Sequence, residues 1–334
     1  MSAAETTTSK VPPTRHSSPP DPAGRPQPPR KRRFGGGRGG SGATPWLLLA
    51  PCFLILALVL GYPLVRLVTL SFQDYKKPQL WGFQPATWVG FDNYTAILGD
   101  SEFWSVVWRT CWFAGGAVLL TMVLGMLVAL LLQRVSGWVK TLVNIALVAS
   151  WAMPVVVAVT VFKWMFDSDY GVVNWTLSKL PGVDYDGHNW FASGVQGLSV
   201  IMLLVVWGAV PFVTITLSAG LTQVPKELEE AARLDGAGPF GVFRYVTFPI
   251  LKPLVVMMTT LSVIWDVGVF PQVWLMRGGH PEPEFQLLTT YSYEKAFEVN
   301  DYASGSAIAL ITVLLLFGVV AVYMRQMLKI GEVE

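Results

Sequence analysis

Few residues in this chain are placed to do chemistry. The three histidines, His16, His188 and His280, lie far apart in sequence, and Cys52 and Cys111 show no metal-ligand spacing. No nucleophile and base stand in a recognisable pattern, and no G-x-x-x-x-G-K-[ST] phosphate loop occurs. The sequence therefore offers no catalytic residue, no metal site and no cofactor site of its own. Two features remain. Asp266 is the one acidic residue inside a long apolar window, where an ionisable group is costly enough to call for a pathway role or a buried partner. The second is a polar segment, Thr222-Gln-Val-Pro-Lys-Glu-Leu-Glu-Glu-Ala-Ala-Arg-Leu-Asp-Gly-Ala-Gly, set between two apolar windows.

The elements that must position these residues are helices in lipid. Of 334 residues, 52% are hydrophobic and only 14% charged, with a mean hydropathy of +0.47. Soluble domains carry nearer a quarter charged residues. Six nearly uncharged windows follow one another: Trp46–Val65, Thr110–Gln133, Thr141–Phe162, Leu198–Leu221, Pro253–Met276 and Tyr302–Met324. Each is long enough to cross about 30 Å of hydrocarbon at 1.5 Å per residue, and only a helix satisfies every backbone group within one such segment. The expected fold is all-α and polytopic, with six transmembrane helices.

Residues 1–45 hold nine of the 23 prolines and the basic run Arg30-Lys31-Arg32-Arg33. Such a tail cannot bury enough apolar surface to offset its conformational entropy, so disorder is expected, with the basic run keeping the N-terminus in the cytoplasm. With both termini inside, 16 of the 24 Lys and Arg residues fall on the cytoplasmic side. The net charge of +2 is small and mostly tail-borne, so it makes no case for nucleic acid. The long outer loops, roughly 73–109, 163–197 and 277–301, carry many aromatics, read as interfacial belts and packed loop structure.

The 222–249 segment reads as a short helix, a glycine break and a second short helix. Pro225 suits a first helical position. Glu227, Glu229 and Glu230 face the positive end of the macrodipole, and Arg233 the negative end. Leu228, Ala231 and Ala232 share one face, and the two alanines keep it flat enough for another protein to approach closely. Gly236 is free to turn the chain in a left-handed conformation, and Pro239 starts the piece that continues through Phe248 and Pro249 into the fifth window.

These residues carry a resemblance. Glu230-Ala231-Ala232, three residues, Gly236, nine residues, Val246, one residue and Phe248-Pro249 resemble the EAA loop of ABC importer permeases, with Val246 for Ile and Phe248 for Leu. Val224–Leu228, Leu234–Ala237, Gly90–Tyr94 and Phe166–Val172 are similar to the carbohydrate permeases of the maltose and glycerol-phosphate type. The resemblance implies a type I importer bundle over residues 46–330 in the bacterial plasma (inner) membrane. It further implies that Glu230, Ala231, Ala232, Gly236 and Pro249 couple to a cytoplasmic ATPase dimer holding ATP and Mg²⁺. A second permease subunit and an extracytoplasmic solute-binding protein are implied as further partners.

Candidates for contact with a sugar are Asp266, its neighbour Trp265, Trp207, Trp151 and Gln272, since aromatic faces suit the apolar faces of sugar rings. A permease for glycerol phosphate or another small polar solute is the second reading, disfavoured because no Arg or Lys lies in the middle of a window. A secondary transporter would need several buried acids or broken helices in repeated halves, and the sequence shows one Asp and no inverted repeat.

Overall fold

The computed structural model describes residues 44–331. The expectations for the basic tail lie outside these residues. The described residues fall into two units, divided between Leu58 and Val59. In the first, α1 (Thr44–Leu56) is apolar throughout, contains Pro51, and leaves its side chains from Trp46 onward exposed.

A π-helical turn, Ala57–Gly61, leads to α2 (Tyr62–Ser71). A two-stranded antiparallel ribbon follows, β1 (Gln73–Asp74) and β2 (Thr87–Trp88), with Gln73 opposite Trp88 and Asp74 opposite Thr87. Next come α3 (Ser101–Leu132), α4 (Gly137–Trp151), α5 (Val155–Met165) and α6 (Gly194–Leu221). The polar connection contains α7 (Lys226–Leu234) and enters α8 (Phe248–Val267). The chain ends with α9 (Pro271–Met276), α10 (Leu288–Tyr293) and α11 (Tyr302–Gly331).

Among the described residues, five helices or helix runs are long and apolar enough to cross a membrane, and the pair α4 and α5 passes the same test only together. The third window is thus not one straight span. Its two halves meet at 99°. Pro154 is the cause: it has no N–H to donate into the preceding turn and biases Met153 away from helical geometry. The chain closes α4 with Ala152 N–H on the Val148 carbonyl and opens α5 with Ala158 N–H on the Pro154 carbonyl. The fifth window is also too long. Helix α8 stops at Val267, and Gly268 to Phe270 separate it from α9, which Pro271 begins. Asp266 therefore lies next to the end of its helix and not at the middle, and Gln272 lies outside the spanning helix altogether.

The core sits between α3 and α6. Where apolar side chains gain little by leaving an apolar solvent, close approach of backbones supplies dispersion contact instead. Gly125 of α3 meets Val213 of α6, and a Cβ placed there would come within 2.6 Å of Val213 Cγ1. Phe113, Ala117 and Ala129 of α3 and Leu198, Ile201 and Leu217 of α6 are buried in the surrounding clusters. Helix α8 packs on α3, α6 and α11, and α11 packs in turn on α2.

Two of the motif segments have structural work. Asn93 Nδ2 donates to the Ser71 and Gln73 carbonyls, both at 2.9 Å, and Tyr94 Oη donates to Ser71 Oγ at 2.6 Å, which closes the end of α2. Asp167 Oδ1 accepts the Asp169 and Tyr170 N–H groups, and these bonds hold its carboxyl below the usual range. Replacing Gly125 by Leu should destabilise the α3–α6 pairing by about 1–3 kcal/mol, the usual cost of overfilling a packed contact. Thermal unfolding of the purified protein in detergent measures it; an unchanged midpoint would show that α3 and α6 are not closely packed at this point.

Candidate functional site

The 222–249 segment folds as its residues require. Pro225 takes extended backbone (φ −63°, ψ 126°) as the N-cap, one residue before α7. Glu227 and Glu229 occupy the first turn and Arg233 the last. Helix α7 ends in a Schellman turn: Gly236 N–H bonds to the Arg233 carbonyl at 3.1 Å and Ala237 N–H to the Ala232 carbonyl at 2.9 Å. That geometry needs a left-handed residue, and Gly236 has φ +89°. The chain then re-enters helix at Pro239–Val242, passes through a π-helical turn at Phe243–Thr247 and continues as α8, with Pro249 in its first turn.

Glu230 and Ala231 are exposed and Ala232 is half-buried. Large apolar side chains of the same segment are also bare: Leu234 is 89% exposed, Tyr245 78% and Phe240 77%.

One contact ties α7 to α8 that the sequence does not single out. Buried Thr247 donates through Oγ1 to Glu229 Oε1 at 3.2 Å, and Glu229 Oε2 pairs with Arg233 Nη2 at 3.6 Å. The i, i+4 spacing of Glu229 and Arg233 is a readable signal; the bond to Thr247 crosses eighteen residues and is not.

The substrate candidates divide. Phe212 of α6 lies 6.2 Å from the Trp151 ring and 5.5 Å from the Trp265 ring, so three aromatics from α4, α6 and α8 form one group. Both tryptophans are exposed on this chain. Sequence reasoning misses Phe212 because it is one apolar residue among many in its window. Trp207 belongs to a different group, with its ring 6.0 Å from Phe162, which stacks on Phe166. Asp266 is 3% exposed and its Oδ2 has no hydrogen-bond partner among the described residues; the same holds for Gln272 Oε1 in α9. Among the described residues no cluster of His, Cys, Asp or Glu could hold a metal ion.

Opposite charges organise the loop after α9. Arg277 Nε donates to Glu282 Oε2 at 2.8 Å while its guanidinium lies 4.2 Å from the Phe285 ring centroid. Gly197 allows this packing, since a Cβ there would meet Phe285 at 2.4 Å.

Residues 121–329 match the family described as binding-protein-dependent transport system inner membrane component. The chain belongs to this family. It is a membrane transport component, as its EAA-type loop implies. It is 42% identical over 309 residues to the diacetylchitobiose uptake system permease protein DasB of Streptomyces coelicolor, covering 89% of this chain and 94% of that one. It is 34% identical to the sulfoquinovosyl glycerol transport system permease protein SmoG of Agrobacterium fabrum, over 84% and 88% of the two chains. The trehalose/maltose transport system permease protein MalF of Thermococcus litoralis is 32% identical, over 71% and 79%. Among solved structures, a bacterial ABC transporter involved in alginate import superimposes with a TM-score of 0.71 at 21% identity, covering 85% of this chain and 96% of that one, and shows the shared fold.

Two outcomes follow. The Glu229 to Thr247 bond should appear as coupling in a double-mutant cycle: Glu229→Met and Thr247→Val together should cost less than the sum of the singles, by about 0.5–1.5 kcal/mol in unfolding free energy. Strict additivity would remove the bond. The Arg277 hydrogen bond holds the Glu282 carboxyl below its ordinary value. The stabilisation it gives is present above the usual carboxylate range and is lost as pH falls through the depressed value. Hydrogen exchange in residues 277–286 should therefore rise below about pH 4 after correction for intrinsic rates, and an Arg277→Met variant should lose that dependence.

Proposed function

We propose that this chain is the permease subunit of an ATP-driven sugar importer in the bacterial plasma membrane, with both termini and the 222–249 loop in the cytoplasm. The observation that carries the reading is the helix α7 ended by the Gly236 turn, with Glu230 and Ala231 exposed and with Leu234, Phe240 and Tyr245 of the same segment bare. In this reading α7 seats in a cleft of an ATPase subunit. Glu230 pairs with a basic group there, and Ala231 and Ala232 permit close approach. The ATPase dimer binds ATP and Mg²⁺, and its closure is transmitted along the continuous run from Pro239 through Pro249 into α8.

A second permease subunit completes the pathway, and an extracytoplasmic solute-binding protein delivers the substrate to the outer loops. A sugar is favoured by what the relatives are named for, namely diacetylchitobiose, sulfoquinovosyl glycerol and trehalose/maltose, all carbohydrates or their derivatives. It is favoured too by the Trp151, Phe212 and Trp265 group, whose exposed faces suit a sugar ring. Asp266 and Trp207 line the same route in this reading, and Gln272 stands at its outer end. Residues 46–330 are the transport domain, and the 1–45 tail serves as a topology signal.

The reconstituted complex should hydrolyse ATP several-fold faster with its binding protein and the right sugar present. Gly236→Trp should abolish that stimulation while the complex still assembles, because a bulky side chain at φ +89° is strained. Normal transport by this variant would remove the docking role. Trp265→Ala and Asp266→Ala should lower uptake with basal ATPase activity retained; unchanged uptake in either would take that residue off the pathway.

A further inference from the structure

Behind α7, on the side away from its docking face, lies a cavity of about 830 Å³. It is bounded by the ends of α3 and α6, by α7 and by the start of the run into α8. Three of its lining side chains are basic: Arg134, Lys226 and Arg233. The one acid, Glu229, is already committed to Arg233 and Thr247. Arg134 and Lys226 make no ion pair or side-chain hydrogen bond among the described residues. Two cations thus face one cavity without a counter-charge.

Helix dipoles account for only one of them. Arg134 lies just past the C-terminus of α3, where a cation is favoured. Lys226 is the first residue of α7, at the positive end of that helix, where a cation is disfavoured. An anion between the two would offset the cost at Lys226 and give Arg134 a counter-charge. The depth of the cavity narrows the choice. Helices α3 and α6 end at Leu132 and Leu221, so the basic groups sit where spanning helices leave the hydrocarbon, at headgroup level. Leu130, Leu221 and Phe243 supply an apolar wall next to the charges. A basic pocket between helix ends, with an apolar flank, is the arrangement that takes the phosphate of an anionic lipid.

We propose that this cavity binds the phosphate group of an anionic phospholipid, held by Arg134 and Lys226, and that the bound lipid braces α7 from behind. The proposal rests on the cytoplasmic orientation given above and not on the identity of the solute. The lipid fills the space through which α7 would otherwise shift toward α3 and α6, so motion imposed on α7 passes to α8 through Glu229 and Thr247.

The test uses the assembled complex in lipid nanodiscs. A photoreactive phosphatidylglycerol should label peptides containing residues 130–134 or 222–243 in phosphatidylcholine discs. Arg134→Gln with Lys226→Gln should cut that labelling several-fold, and Arg134→Lys with Lys226→Arg should keep it. Phosphatidylglycerol should also raise substrate-stimulated ATPase activity two-fold or more over pure phosphatidylcholine, an effect the Gln pair loses. Equal labelling of wild type and the Gln pair would overturn the site. If inorganic phosphate competes away the label at low millimolar concentration and reproduces the stimulation in pure phosphatidylcholine, the pocket takes a free anion and the lipid assignment fails. Labelling needs neither sugar nor ATP, so a failed solute assignment leaves this test standing.

Discussion

Two hydrogen bonds to the last turn of a nine-residue helix, from Gly236 and Ala237 to carbonyls of Arg233 and Ala232, set the direction of α7. A helix in water this short is marginal by itself. Here it is fixed at one end by the Schellman turn and on its flank by the Glu229 contacts to Arg233 and Thr247. Beyond the turn, a continuous helical run extends from Pro239 to Val267. The outer face of α7 is left bare, and its inner face looks onto a charged cavity.

Much of this segment is legible in the order of its amino acids. The polar segment declares itself by charge, with acids at the start of a helix and a base at the end, followed by glycine and then proline. Local chemistry suffices there because caps and turns are decided within a few residues. The spans at windows one, two, four and six are equally plain, since composition over twenty residues reports lipid directly. Windows three and five mislead for one reason. Hydropathy records whether a segment is apolar and not whether it stays straight, so Pro154 and the Gly268–Pro271 break are averaged away.

The aromatic group shows a different limit. Trp151 and Trp265 stand out as large residues at depth, but their meeting depends on Phe212, more than fifty residues from either, and on the angle that Pro154 imposes on the third segment. Trp207, equally prominent in sequence, goes to Phe162 instead. Which aromatics converge is a matter of tertiary packing. Asp266 illustrates the same point, because its burial at the end of α8 follows from where Gly268 stops the helix.

The central claim is that α7 is a surface for an ATPase subunit, and thiol accessibility tests it most directly. With Cys52 and Cys111 replaced by serine, a single cysteine at position 234, which is 89% exposed in this chain, should react readily with a membrane-impermeant maleimide in inside-out vesicles. Adding the ATPase subunit should protect it at least ten-fold. Labelling from the outer face of intact cells, or equal labelling with and without the ATPase, would contradict the account.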